Sequence, residues 1–154
     1  MRQESGRSMI EMLGVLAIMG VITVGAIGMI STAMRTQKLT TVNDQVVQMV
    51  TLVRSLHGEY DDFSNMNGAK IFGAIGMSNA NPYGGTYELA VDPANPRQFL
   101  VTINGLSQSD CESLVAKAWS DSVGYQMSAG KNGGAVGDCK DENGKNVVQI
   151  TYGE

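Results

Sequence analysis

A continuous apolar run near the N-terminus constrains this chain more than any other feature. From Met12 to Met34 no residue is charged, and basic residues stand on both sides of the run: Arg2, Arg7, Arg35 and Lys38. As a helix rising about 1.5 Å per residue, the run reaches about 35 Å and crosses a hydrocarbon core of about 30 Å. A cleaved secretory signal has a shorter apolar region followed by a small-residue cleavage site. The run therefore predicts a retained membrane anchor.

One acidic residue, Glu11, stands at the edge of this run. An ionised carboxylate within a bilayer costs about 2.5–3.5 kcal/mol, so a partner of opposite charge is expected. The alternative is an interfacial carboxylate that reaches toward the lipid headgroups. The residues by themselves leave both interpretations open.

The soluble remainder of the chain contains two cysteines, Cys111 and Cys139. An even number of cysteines behind a membrane-targeting segment predicts a disulfide formed in an oxidising compartment, with two free buried thiols as the alternative. Such a bridge would contribute about 3–4 kcal/mol in the chain-entropy description. The chain of 154 residues suffices for one domain with its own core, and its net charge of −4 offers no basic surface for nucleic acid.

The sequence contains few residues that could support catalysis or metal binding. His57 is the only histidine, which we interpret as a helix-end residue, and no nucleophile–base pair can be assembled around it. The acidic residues Asp61-Asp62 and those of 138–142 are interpreted as solvated turns, because the second group lacks the spacing of an EF-hand. The glycine-rich segment Gly130–Gly137 lacks the P-loop order. We expect no enzyme activity, no metal and no cofactor.

The residues around Glu11 resemble a known processing site. The segment Gly6-Arg7-Ser8-Met9-Ile10-Glu11-Met12-Leu13 is similar to that of type IV prepilins. The resemblance implies that a prepilin peptidase cuts between Gly6 and Arg7 on the cytoplasmic side, and that the new amine on Arg7 is methylated. Glu11 would then be the fifth mature residue, paired in the filament with the N-terminal amine of a neighbouring subunit. The family usually has Phe or Met where this chain has Arg7, which adds a second positive charge near Glu11.

The apolar run also contains four glycines: Gly14, Gly20, Gly25 and Gly28. Small residues let helices approach closely in lipid, and each glycine weakens a helix by about 1 kcal/mol relative to alanine. The stretch Gly20–Gly28 mixes glycine with β-branched residues. We predict that this stretch, with flexibility at Gly20, Gly25 and Gly28, is helical in the monomer and partly extended in the polymer. Close packing without melting is the alternative.

Beyond Arg35 the apolar positions alternate in steps of three and four residues, which is typical of an amphipathic helix: Leu39, Val42, Val46, Met49, Val53 and Leu56. Gly58 is a helix stop, so one helix is predicted to run to about His57. Its second half would pack on a globular domain, with a free coiled coil as the alternative. Residues 58–85 predict a long loop with a short helix around Lys70–Ile75.

Strand patterns follow this loop. The predicted elements, in chain order, are a strand Thr86–Val91, a turn at Pro93 and Pro96, a strand Gln98–Asn104 closed by Gly105, a helix from an N-cap at Ser107 to about Asp121, a strand Val123–Ser128, a turn at Asn143-Gly144 and a strand Asn146–Tyr152. The helix would bury Cys111, Leu114, Val115, Ala118 and Trp119. The fold class predicted is α+β, with a long N-terminal helix on a small antiparallel sheet and one additional helix.

The segment Phe99–Leu114 places a strand, Gly-Leu and a cysteine-bearing helix in succession. This order resembles the soluble domain of type IVb pilins, the toxin-coregulated pilin family. The resemblance implies that Cys111 and Cys139 are bridged and frame the C-terminal region. It implies a leader over residues 1–6, a transmembrane and polymerisation helix over 7–35, an amphipathic helix over 36–57 and a globular region over 58–154.

The family resemblance favours a structural subunit over other functions. The first hypothesis is a major pilin of a type IVb pilus, inserted in the bacterial inner membrane as a precursor and then polymerised into an extracellular helical filament for adhesion, aggregation or conjugative mating. Its expected partners are other copies of the chain, prepilin peptidase, the pilus assembly machinery and minor pilins. The alternatives are a minor pilin or type II secretion pseudopilin, and a membrane-tethered binding domain that never polymerises.

Overall fold

The fold is α+β, as the sequence predicts. A computed structural model describes residues 4–57, 62–123, 139 and 146–153. In chain order these residues form helix α1 (Glu4–His57), helix α2 (Gly68–Ala74), strand β1 (Tyr87–Asp92), strand β2 (Asn95–Leu106), helix α3 (Gln108–Val115) and strand β3 (Asn146–Gly153). The chain divides into two compact units, Met1–Gln37 and Lys38–Glu154.

In the second unit, the amphipathic stripe of α1 supplies one wall of the core. Four residues of the predicted stripe are fully buried: Val42, Val46, Met49 and Val53. Leu39 is partly buried, and Val50, which the stripe did not include, is also buried at 7% exposure. The prediction for Leu56 is wrong, because this side chain is 54% exposed. An α-helix drifts by about 20° per heptad relative to a strict seven-residue repeat, so the stripe rotates away from the core by its last turn.

The sheet supplies the opposite wall. Its strands are antiparallel in the order β1-β2-β3, and side chains alternate between the two faces because a strand has a period of two. The register aligns three inward rows: Tyr87–Ile103–Val148, Leu89–Val101–Ile150 and Val91–Phe99–Tyr152. The Oη atom of Tyr87 donates a hydrogen bond of 2.7 Å to Oε1 of Gln45, which fixes the sheet against α1.

Strand β2 is longer than predicted at both ends. It begins at Asn95, so Pro96 lies within the strand, and it continues through Gly105 to Leu106. Gly105 therefore does not close the strand; it forms an irregularity in the β2–β3 register, with φ of +76°. A Cβ built on Gly85 would lie 1.9 Å from the carbonyl oxygen of Asn104, so the backbones of these two segments approach at glycine distance.

Helix α3 starts as predicted and ends early. Ser107 caps it, with its Oγ accepting from the backbone N–H of Asp110 at 3.3 Å. The prediction that the helix runs to Asp121 is wrong, because α3 ends at Val115. The chain turns back there, and Nε1 of Trp119 donates to the carbonyl oxygen of Leu114 at 3.2 Å.

The turn changes which side chains are buried. Cys111, Leu114 and Trp119 are buried as predicted, Val115 is only partly buried, and Ala118 is exposed.

The remaining predictions divide between confirmed elements and residues outside the described ranges. Helix α2 and strand β3 lie within one or two residues of their predicted positions. Val123 is not in a strand, although its neighbour Ser122 bridges to Tyr152. The rest of the predicted strand to Ser128, the segment Gly130–Gly137 and the Asn143-Gly144 turn lie outside the described residues.

Candidate functional site

The apolar part of α1 exposes all its large side chains. From Met9 to Met34 every Met, Ile, Leu and Val is between 54% and 77% exposed. Among the described residues, α1 is the one helix that is long and apolar enough to cross a membrane by length and composition, with a window of mean hydropathy 2.4 and no burial. A continuous apolar surface of this extent marks contact with lipid or with other protein.

The hydroxyl side chains of this segment are satisfied within the helix. Oγ1 of Thr23 donates to the carbonyl oxygen of Met19 at 2.7 Å, and Oγ of Ser31 donates to that of Ile27 at 3.0 Å. Thr32 and Thr36 make the same bond to the carbonyl four residues earlier. Because hydrocarbon offers no hydrogen-bond partners, this internal pairing suits a helix that is surrounded by apolar groups.

The glycines of the segment have no intrachain role that requires them. A Cβ built on any of the four would meet no atom within 4 Å; they are Gly14, Gly20, Gly25 and Gly28. Each glycine weakens the helix by about 1 kcal/mol relative to alanine, and close approach of another helix is one role for which small residues are suited. Gly25 and Gly28 line a shallow groove along the helix together with Val24, Met29, Thr32, Ala33 and Thr36.

The C-terminal part of the second unit is framed by a disulfide. Cys111 on α3 and Cys139 are bridged, with their Cα atoms 5.9 Å apart and both side chains buried. The bridge closes a loop of 28 residues, for which the chain-entropy description gives about 3–4 kcal/mol. It holds α3 to the chain that leads into β3, so the structure contains the covalent bond that the sequence predicts.

Comparison with known proteins agrees with this architecture. No protein-family model matches the chain. The toxin coregulated pilin of Vibrio cholerae serotype O1 is 29% identical to it over 128 residues, which cover 73% of this chain. The comparison supports a type IVb pilin-like family. The chain spans 57% of the length of this curated relative.

The similarity agrees with the long apolar helix and the antiparallel sheet of this chain. The residues of the predicted processing site lie at the start of α1. Gly6 and Arg7 fall in its first turns, and Glu11 is exposed on the same helix. The cleavage between Gly6 and Arg7, the methylation of Arg7 and the pairing of Glu11 with a neighbouring amine stay predictions. The stretch Gly20–Gly28 is helical throughout, and its extension in a polymer likewise stays a prediction.

An interaction that sequence reasoning missed joins α1 to the turn after α3. Nη2 of Arg54 donates to the carbonyl oxygen of Asp121 at 3.1 Å, and Nη1 lies 3.6 Å from Oδ2 of the same residue. Asp121 has a φ of +61°, which permits the tight turn. Both side chains are partly solvated, so the ion pair contributes at most about 1 kcal/mol. No local pattern could reveal it, since 67 residues separate the partners.

Burial in the core raises the pKa values of two tyrosines. Burial raises the pKa of Tyr152 to about 12; Arg54 opposes this shift and Asp121 adds to it. Burial also raises the pKa of Tyr87 well above its usual range. Since Tyr87 donates to Gln45, its protonated form is the one that holds the sheet to α1.

The minor candidate sites have structural explanations. His57 ends α1, with Nδ1 at 3.3 Å from the carbonyl oxygen of Val53 and its ring 6.0 Å from that of Phe63. Asp62 accepts hydrogen bonds from the hydroxyl and the N–H of Ser64, which lower its pKa. Over the described parts of the chain, no group of three or more His, Cys, Asp or Glu is placed to hold a metal ion.

Proposed function

We propose that this chain is the major pilin of a type IVb pilus. The carrying observation is the segment Met12–Met34 of α1, which presents a charge-free, exposed apolar surface with glycines that no intrachain contact requires. Such a surface suits two environments in succession, the inner membrane and then a bundle of identical helices. The resulting extracellular filament would serve adhesion, aggregation or conjugative mating. The match to the toxin coregulated pilin supports the proposal.

The proposal assigns a role to each part of the chain. Residues 1–6 are a leader that prepilin peptidase removes, and residues 7–35 anchor the precursor and then form the polymer core. Residues 36–57 are the amphipathic spine of the globular region, and residues 58–154 form the outer surface. The assembly machinery and minor pilins are the expected partners.

Glu11 is the residue on which assembly would depend. An acidic side chain among apolar helices is stabilised when a positive charge lies beside it, and the amine of a cut and methylated neighbour supplies that charge. The pairing also selects one axial register between subunits. Arg7, at the new N-terminus, adds positive charge at the same place.

The proposal is tested by the mass of the mature chain and by its abundance in sheared surface fractions. We expect a mature chain that begins at Arg7 and that is abundant in sheared filaments. Glu11→Ala should abolish filaments while membrane insertion persists, whereas Asp44→Ala, which removes an exposed acid farther along α1, should assemble normally. A chain that retains residues 1–6 and stays in the inner membrane would defeat the proposal, and low abundance in filaments would indicate a minor pilin instead.

A further inference from the structure

The surface around Lys38 in the second unit carries an aromatic ring beside the lysine ammonium. Nζ of Lys38 lies 5.9 Å from the ring centroid of Tyr83, which belongs to the loop formed by residues 79–85. We propose that this surface, the Lys38–Tyr83 surface, rests on the phosphate-bearing headgroups of the bilayer that the first half of α1 crosses. The inference rests on the proposed membrane placement and adds a second lipid contact, made by the globular region itself.

Chain length alone keeps Lys38 close to the headgroups. It follows the last residue of the charge-free run, Met34, by four positions, and four residues span at most about 14 Å even when fully extended. The polar layer of one leaflet is about 5–8 Å thick. A lysine side chain reaches several ångströms along an apolar surface while its ammonium stays in the polar layer. Tyr83, in contact range of that ammonium, must therefore lie near the same level.

The chemistry of the surface fits the boundary between lipid and water. Tyrosine is enriched at that boundary because its ring is apolar and its hydroxyl is polar, and an ammonium group is attracted to lipid phosphates. No residue from Ser78 to Gly85 is charged. The carboxylate of the nearby strand residue Glu88 accepts from Nδ2 of Asn104 at 2.9 Å, on the outer face of the sheet.

The loop that carries Tyr83 is held in place by one buried amide. Asn81 is 6% exposed, and its Nδ2 donates to the carbonyl oxygen of Asn104 at 2.7 Å. Its Oδ1 accepts from the backbone N–H groups of Tyr83 and Gly85, both at 3.0 Å. These bonds fix the loop to β2, so the ring of Tyr83 is presented by a rigid support rather than by a free loop.

The far end of the same unit has a different character. There Arg54 pairs with the exposed Asp121, and Val123 lies at the edge of β3, where its N–H donates to the carbonyl oxygen of Thr151. Along α1, Arg54 follows Lys38 by 16 residues, which is about 24 Å of helix. This end offers a place for a matched control that does not touch lipid.

Quenching of tryptophan by brominated lipid tests the proposal. The full chain is reconstituted in phosphatidylethanolamine–phosphatidylglycerol vesicles that contain lipid brominated near the headgroup end of the acyl chain. Tryptophan is introduced by Tyr83→Trp, by Val123→Trp at the far end and by Ile22→Trp in the span. The unsubstituted chain, whose single tryptophan is Trp119, supplies the baseline.

We expect quenching of the Tyr83→Trp chain to exceed that of the Val123→Trp chain several-fold, and Lys38→Gln to reduce it, while Lys70→Gln on α2 leaves it unchanged. Ala80→Trp, on the same loop, gives the answer if Tyr83→Trp does not fold. If the Ile22→Trp chain is quenched but the Tyr83→Trp chain is quenched no more than the Val123→Trp chain, this inference is overturned and the membrane anchor stands. Unquenched Ile22→Trp would overturn both this inference and the proposed membrane placement.

Discussion

The two halves of α1 carry apolar side chains for opposite reasons. In the first half the apolar residues cover every side of the helix and all are exposed, as for Met29 at 77%. In the second half they form one stripe that is buried against the sheet, as for Met49 at 0%. The second half is specified by contacts within the chain, whereas the first half is exposed and, as we propose, meets lipid and then other copies of the chain. One continuous helix therefore serves two kinds of packing.

The sharpest test of this difference compares the two methionines. Met49→Ala removes a fully buried side chain and should lower the free energy of unfolding of the second unit by about 2–5 kcal/mol, through lost burial and a cavity. Met29→Ala should leave that free energy unchanged, since its side chain contacts no core. Urea unfolding in detergent, followed by the fluorescence of Trp119, measures both. Equal effects of the two substitutions would contradict the division.

The disulfide belongs to the second unit alone. Removing it by Cys111→Ser with Cys139→Ser should lower the stability of that unit by about 3–4 kcal/mol in the chain-entropy description. The circular dichroism of the apolar helix in detergent should persist to the same temperature as before. Ser113→Ala alters the same helix α3 without touching the bridge, and should have a much smaller effect. If the apolar helix and the sheet unfold together, the stability of the first unit depends on that of the second.

Alkaline pH should also destabilise the second unit and not the first. Burial raises the pKa of Tyr152 to about 12, whereas a tyrosine in an unfolded chain ionises near pH 10. The stability that its neutral form contributes is therefore complete below about pH 10 and is lost as the pH rises toward 12. The first unit contains no tyrosine.

Urea unfolding of the second unit at several pH values measures this loss. Tyr152→Phe has no proton to lose at that position, so its stability should fall less steeply over the same range. Identical pH profiles for the two chains would exclude Tyr152 as a source of the loss.

Local periodicity accounts for what could be predicted. Patterns between residues a few positions apart predict three elements: the charge-free run, the stripe from Val42 to Val53 and strand β3. The early end of α3 depends on Trp119 turning back to Leu114, and the loop at Asn81 depends on Asn104, which is 23 residues away. Single polar contacts of this kind, whether five or 23 residues apart, leave no periodic signal.

For the candidate site, the exposure of the apolar segment follows from its composition. The pairing of Glu11 with the amine of a neighbouring copy stays a prediction, because it involves two copies of the chain.

The smallest expected effect concerns the glycines of the first half. Gly28→Ala introduces no clash within the chain, because a Cβ there meets nothing within 4 Å, and it should stabilise the monomeric helix by about 1 kcal/mol. In a filament the same methyl group would occupy the groove beside Gly25 and oppose both close approach and extension of residues 20–28. Helix content of detergent-solubilised monomers should thus be unchanged or higher, while the yield of sheared filaments falls.

Gly73→Ala on α2 is the matched control for this substitution. A Cβ at Gly73 also meets nothing within 4 Å, but this exposed residue belongs to the second unit. It should leave filament yield unchanged. A normal yield of Gly28→Ala filaments would show that the groove is not used between subunits. A filament map with unbroken helix over residues 20–28 would separately exclude extension of this stretch. Close packing would then be the reason for the glycines, because it needs small residues but no change of the backbone.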